Sequence, residues 1–192
     1  MVGSSILPIA YHKRKLYFLF GKENSMEDSA KGWSDFGGGV EYGDSILETA
    51  MREGGEELTG FLGGANEIKK LISRNGGIYK INHNDQYHIH AFLMDYDENL
   101  PTYYNQNHRF LWQNMDKHIL NDSKLFEKIE IEWFSPEMMR DRRNEFRGFY
   151  REIVDKILGE LPMIKKSICK KKTRRMNPKS RKTLKKRAKS GK

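Results

Sequence analysis

The stretch DSILETAMREGGEELTGFLG, residues 44–63, decides the fold. At about 100° per residue, Leu47, Met51, Gly54 and Leu58 fall on one stripe, which predicts an amphipathic helix over roughly residues 45–59 with that stripe buried. Ser45 followed by Glu48 has the capping-box pattern, and Asp44 complements the positive end of the helix dipole. Two adjacent glycines in the middle are costly, each about 1 kcal/mol relative to alanine. Gly54 lies in the buried stripe, where the missing Cβ lets the backbone approach a sheet. Gly55 projects away from both faces and has no reason in the pattern.

The same helix concentrates acid. Glu53, Glu56 and Glu57, at i, i+3 and i+4, share an arc about 100° wide. Like charges so placed repel by a few tenths of a kcal/mol per exposed pair, a strain that a bound cation relieves. Grouped carboxylate oxygens suit Mg²⁺ or Mn²⁺, and Arg52 beside the arc can tether one of the acids. Just upstream, Gly37, Gly38 and Gly39 permit a backbone turn that brings carbonyls or amides close to a ligand.

Outward from this helix the chain mixes strands and helices. SSILPIAY and KLYFLFGKE, joined by His12, Lys13 and Arg14, predict a hairpin, and GWSDFGGG predicts a short strand breaking into the glycines. GGIYKINH and QYHIHAFLMDY predict a second antiparallel pair turning at NHND. Residues 97–126 are polar, aromatic-rich and irregular, which predicts a long loop with a short helix near HRFLWQNM. KIEIEWF alternates as a strand, and SPEMM predicts the cap of a long amphipathic helix running to about Leu161. Strands and helices do not strictly alternate, so the class expected is α+β and not a doubly wound parallel sheet.

The chain has 192 residues, enough for one domain with an appendage. Of the net charge of +9, residues 163–192 supply +15 without one acid, leaving −6 on residues 1–162. The basic character therefore belongs to the tail, which is too charged and too poor in apolar residues to order itself. The expected division is a mildly acidic folded domain over 1–162 and a disordered polybasic tail over 163–192, the latter an RNA-binding arm or a localisation signal. The single cysteine, Cys169, excludes an internal disulfide and a thiolate cluster for zinc. No secretory leader and no apolar run of about 18 residues is found, so an intracellular protein without a membrane partner is expected. Oligomeric state is left open. His88 and His90 alternate along a strand, where surface or core positions are preferred over metal ligation.

Gly38, five residues, Asp44, seven residues and then Arg52-Glu53-Gly54-Gly55-Glu56-Glu57 resembles the Nudix box, G-x5-E-x7-R-E-U-x-E-E-x-G-U with U aliphatic. The likeness spans roughly residues 4–160, with KLYFLFGKE and WSDFGGG as the lead-in and EIEWFSPEMM as the last strand and helix. It departs at Asp44, at Gly54, and at the terminal glycine, which comes one residue late as Gly60 and implies a later helix end. The resemblance implies an α/β/α sandwich around a mixed β-sheet, and hydrolysis of a nucleoside diphosphate linked to another moiety. It assigns the divalent ion to Glu53, Glu56 and Glu57, the orientation of Glu53 to Arg52, and backbone contacts with substrate to Gly38 and Gly39. A distal acid can supply the base; Glu130 is the candidate, with Glu132 and Glu127 competing. Tyr103, Tyr104 and Trp112 offer a stacking platform for a base or cap, or pack a loop over the core.

The variant box, the WSDFGGG lead-in and the basic tail are similar to Nudix proteins of large DNA viruses. With the tail holding RNA, the 5′ cap of mRNA is the favoured substrate. The other expectations are free nucleotides, dinucleoside polyphosphates or diphosphoinositol polyphosphates, or an inactive RNA-binding scaffold. The compartment expected is the cytoplasm, including a viral factory or virion, or the nucleus.

Overall fold

The computed structural model describes residues 2–24, 31–122 and 127–176. Strands β1 (Gly3–His12) and β2 (Lys15–Glu23) form the expected hairpin, with Ile9 opposite Phe18 and His12 opposite Lys15. Its two turn residues, Lys13 and Arg14, both take positive φ, 45° and 65°, the handedness that matches the twist of a two-residue hairpin. The second hairpin, β5 (Ile78–His83) and β6 (Tyr87–Met94), turns the same way through Asn84 and Asp85, at φ 54° and 55°. β6 then runs parallel to β1, which makes the sheet mixed.

The centre of the sheet is split. β1 and β2 pair only near their turn, then part, and β3 (Trp33–Ser34) and β4 (Phe36–Gly39) enter between them. β3 pairs with β2 and β4 with β1. Asp35, between these two short strands, is 1% exposed and accepts hydrogen bonds from the hydroxyls of Ser5 and Tyr87. Burial pushes its carboxyl pKa up against those bonds. β7 (Lys128–Phe134) closes the other edge of β2.

Helices cover both faces. On one, α1 (Ile46–Glu57), α2 (Ala65–Arg74) and α3 (Leu100–Asn114) bury Ala50, Met51, Ile68, Ile72, Leu100 and Tyr104 against Ile6, Leu19, Phe36, Phe92 and Trp133. On the other, α5 (Pro136–Asp141) and α6 (Tyr150–Met176) follow the short helix α4 (Lys117–Asp122) and strand β7. Tyr150, Ile153, Val154, Ile157, Leu161 and Ile164 recur at three- and four-residue spacing along α6 and pack on Leu7, Phe18, Phe20 and Phe134. This is the expected α/β/α sandwich around a mixed sheet, with seven strands and six α-helices among the described residues.

Three expectations are corrected. Where a long loop with one short helix near HRFLWQNM is expected, the described residues 97–122 hold two helices, α3 and α4: Leu100, Tyr104 and His108 are buried at four-residue spacing, with Pro101 in the first turn. Asn105 of α3 serves β7 as a strand would, donating to the carbonyl of Ile131 at 3.2 Å and accepting its N–H at 2.8 Å, which covers an exposed edge. The single helix expected from Ser135 is broken after Asp141, where Trp33 bridges Phe146 and Arg142 lies 4.5 Å from the centre of the Phe134 ring. α6 continues through Pro162 to Met176, past the end expected at about Leu161, and Ile164 is fully buried. Residues 177–192 of the basic tail lie outside the described residues. Among the described residues no helix is long and apolar enough to cross a membrane.

Candidate metal centre and nucleotide cleft

α1 begins as read: the Ser45 hydroxyl accepts from the Glu48 N–H at 3.3 Å, and the Glu48 carboxylate accepts from the Ser45 N–H at 3.1 Å. Both glycines have structural reasons. A Cβ on Gly54 would overlap the Ile6 side chain, and one on Gly55 would come within 3.3 Å of the Gly63 carbonyl, where the loop before α2 packs on the helix. That supplies the reason for Gly55 that the helical pattern withheld. The helix ends at Glu57, earlier than expected, because Thr59 takes the left-handed conformation at φ 47° and Gly60 follows at 76°.

Arg52 gathers the acids around the helix entry. Its Nη1 lies 2.8 Å from Glu53 and 3.3 Å from Glu56, and its other nitrogens lie 3.2 Å from Glu41 and 3.5 Å from Asp44. Asp44 thus reaches the same arginine as the other acids, though only at long range. Gly38 of β4 faces Glu53 so closely that a Cβ there would be 2.6 Å from the carboxyl carbon. Gly37 and Gly38 belong to the strand that the split in the sheet brings opposite α1, and Gly39 pairs with Gly3.

The three glutamates do not share one environment. Glu53 is 17% and Glu56 62% exposed in their side chains, whereas Glu57 is 5% exposed. One Glu57 oxygen accepts the Gly37 N–H at 2.8 Å, and the other lies 3.3 Å from the ammonium of Lys128. Lys128 is itself 1% exposed, and it also contacts the Glu23 carboxylate and the Ser34 hydroxyl, the latter at 2.9 Å. Arg147 reaches Glu23 at 2.9 Å from the edge. Burial pushes the Glu57 carboxyl up to about 8 against the pull of Lys128, and the Glu23 charge adds to the rise. Burial opposes the Lys128 charge as well, but Glu57 and Glu23 together outweigh it and hold the ammonium above the ordinary lysine value.

Glu53 and Glu56 fit a divalent ion: both offer hard oxygens, both reach solvent, and both converge on a cation, the Arg52 guanidinium. Glu57 differs from them in being buried and engaged by Lys128 and the Gly37 N–H. Among the described residues no three His, Cys, Asp or Glu side chains form a group that could hold a metal.

The predicted aromatic residues also separate. Tyr103 is 58% exposed, but Tyr104 is 1% exposed, its hydroxyl 2.9 and 2.8 Å from the carbonyls of Glu57 and Lys128; it is a strut between α1 and β7 and has no surface for stacking. Trp112 stacks on His108 at 5.9 Å with an interplanar angle of 14°. With Asn24, Asn105, Arg109, Ile129 and Glu130 these rings line a cleft of about 470 Å³ between α3 and β7. Asn24 follows Glu23 and Ile129 follows Lys128, so the cleft adjoins the buried end of α1.

Glu130 lines that cleft and pairs with Lys22 at 3.6 Å, while Glu132 is held bidentately by Arg142 at 2.9 Å. Of the three distal acids, Glu127 is the one whose charge acts on Glu57. His90 is buried, its Nδ1–H donating to the carbonyl of Ser5 at 3.1 Å, a core position. Lys128, Glu23, Ser34, His108 and Arg109 were not singled out from sequence. Lys128 was hidden because a register shift in the β2–β7 pairing, between Lys22 and Glu23, turns it from the face its place in KIEIEWF suggests to the face of α1.

The family model of the NUDIX domain matches residues 4–157. No curated protein matches significantly. Among solved structures, an Ap4A hydrolase of C. elegans in a binary complex is 15% identical with a TM-score of 0.44, the match covering 84% of this chain and 95% of that one. The NUDIX domain of Shewanella oneidensis NrtR, complexed with ADP ribose, is 11% identical with a TM-score of 0.47, covering 84% and 88%. A mutT/nudix family protein of Listeria innocua is 14% identical with a TM-score of 0.40, covering 84% and 94%. The match over most of the chain, to a domain whose box residues lie on α1 and the glycine strand that faces it, identifies the chain as a member of the Nudix hydrolase family.

Proposed function

We propose that the chain hydrolyses a phosphoanhydride bond in a nucleotide-containing diphosphate, with the 5′ cap of mRNA as favoured substrate. The observation that carries this reading is the aromatic cleft beside the buried end of α1, so that a site for a base adjoins the helix that bears the acids. Trp112, resting on the buried His108 ring, presents a ring face for stacking, and Arg109 supplies a cation for phosphate. Glu53 and Glu56 would hold Mg²⁺ or Mn²⁺, which when bound would neutralise diphosphate charge and lower the pKa of the attacking water. Arg52 fixes both carboxylates in one orientation. The basic end of the chain supports an RNA substrate, because fifteen cations in residues 163–192 attract phosphate polymers without regard to sequence.

The test is product analysis on capped RNA and on a panel of nucleotide diphosphate derivatives, in Mg²⁺ and then Mn²⁺, with the full chain and with residues 177–192 deleted. Release of methylated GDP from capped RNA, lost on deletion while small nucleotides are still hydrolysed, is the expected result. Equal activity on capped RNA with and without the tail removes the RNA argument. Turnover confined to free nucleotides or dinucleoside polyphosphates moves the substrate there, and RNA binding without turnover makes the chain a binding scaffold.

A further inference from the structure

We propose that Lys128 is a built-in counter-ion that withdraws Glu57 from metal binding, so that the divalent ion is held by Glu53 and Glu56 while Glu57 positions the glycine strand. The proposal rests on the metal-dependent reading above and concerns which carboxylates serve it.

The Lys128 ammonium donates to Glu23 and to the Ser34 hydroxyl and forms an ion pair with Glu57 at 3.3 Å. Glu57 is equally engaged, with one oxygen on Lys128 and the other on the Gly37 N–H, and its carboxylate is almost wholly enclosed. A metal ion at Glu57 would therefore sit beside a buried positive charge that has no route to solvent, since Lys128 is 1% exposed.

The surroundings are built for the lysine. The register shift between Lys22 and Glu23 sets Lys128 opposite Glu23, on the face of α1. Gly21, beneath it, leaves room for the aliphatic stem: a Cβ there would come within 2.8 Å of Lys128 Cγ. Tyr104 ties the carbonyls of Glu57 and Lys128 together from α3. Glu57 acts on the site through Gly37: by holding that amide it fixes the strand whose next residue, Gly38, lies against the Glu53 carboxylate. It is a positioning residue in this arrangement.

The experiment is Mn²⁺ binding, measured by calorimetry and by electron paramagnetic resonance of the free ion, on the wild type and on Glu53→Gln, Glu56→Gln and Glu57→Gln, with circular dichroism on each. Expected are tenfold or greater losses of affinity for the first two variants and a change within threefold for Glu57→Gln. Because Glu57→Gln can disturb folding, the double variant Lys128→Met/Glu57→Gln, whose amide oxygen can still accept the Gly37 N–H, is measured beside it. That variant removes the pair together and leaves Glu23 to Arg147 and Ser34, and it too is expected within threefold of wild type. A tenfold loss in either Glu57 variant, in protein with native circular dichroism, overturns the proposal while leaving the metal reading standing. A wild type that binds no Mn²⁺ overturns both.

Discussion

Replacing Lys128 by methionine removes a single charge from between two carboxylates that are 5% and 6% exposed. Methionine fills nearly the same volume, so the cavity contribution is small and the electrostatic one dominates. Glu23 would keep Arg147 at 2.9 Å and the Ser34 hydroxyl, whereas Glu57 would keep only the Gly37 N–H. Breaking a buried pair by deleting one partner costs about 3–5 kcal/mol, because the remaining carboxylate must either stay charged without compensation or take up a proton. Against a total stability of about 5–15 kcal/mol this is a large fraction. At about 2–4 °C per kcal/mol for a chain of this length, the unfolding midpoint falls by roughly 6–20 °C. Urea denaturation followed by circular dichroism measures it, with the slope checked for unchanged two-state behaviour. The double variant Lys128→Met/Glu57→Gln leaves no orphaned charge on α1 and recovers most of the loss. A single-variant loss below about 1 kcal/mol, or a double variant no more stable than the single, refutes the reasoning.

Three further outcomes are expected. Thr59 is β-branched yet left-handed at φ 47°, a conformation that costs about 1–2 kcal/mol, partly offset by the chain entropy glycine loses; Thr59→Gly therefore stabilises by about 0.5–1 kcal/mol in denaturant titrations, and a destabilised variant contradicts the strain. Burial, with repulsion from Lys80 and His88, holds the His90 imidazole below its ordinary pKa. The unfolded chain thus takes up the proton first as pH falls, so this share of stability is complete above about pH 6.5 and lost as pH drops through the folded value. Unfolding at pH 7.5 and 5.5 shows a smaller loss for His90→Gln than for the wild type, and equal losses would contradict that placement of the histidine. Trp112→Ala raises KM for a nucleotide substrate about 5- to 150-fold, the equivalent of about 1–3 kcal/mol of base stacking, with kcat and thermal stability nearly unchanged; an unaltered KM removes Trp112 from the cleft's function.

Local signals carried most of the fold. The capping box at Ser45 and Glu48, the buried stripe of α1 and both two-residue hairpins could be read because each depends on residues adjacent in the chain. Only the end of α3, near HRFLWQNM, is legible as a helix, because its exposed aromatics, Tyr103 and Phe110, blur the spacing of Leu100, Tyr104 and His108. The break after Asp141 depends on contacts of Phe146 with Trp33, more than a hundred residues away in sequence, which no local pattern records. In the site, the spacing of Glu53, Glu56 and Glu57 gave the helix face but not the burial that separates the third from the other two. That separation comes from Lys128 across the sheet, and the register shift that aims it depends on the pairing of two distant strands.

The central claim is that α1 presents carboxylates to a divalent ion at which a phosphoanhydride is hydrolysed. Its most direct test is the Mn²⁺ dependence of turnover by the wild type and by Glu56→Gln, a substitution at an exposed side chain outside the core, across capped RNA and the nucleotide panel. The account predicts turnover that saturates with Mn²⁺ in the wild type and falls at least 100-fold in the variant at unchanged thermal stability. Equal turnover by the two proteins, or turnover indifferent to the metal, would contradict it.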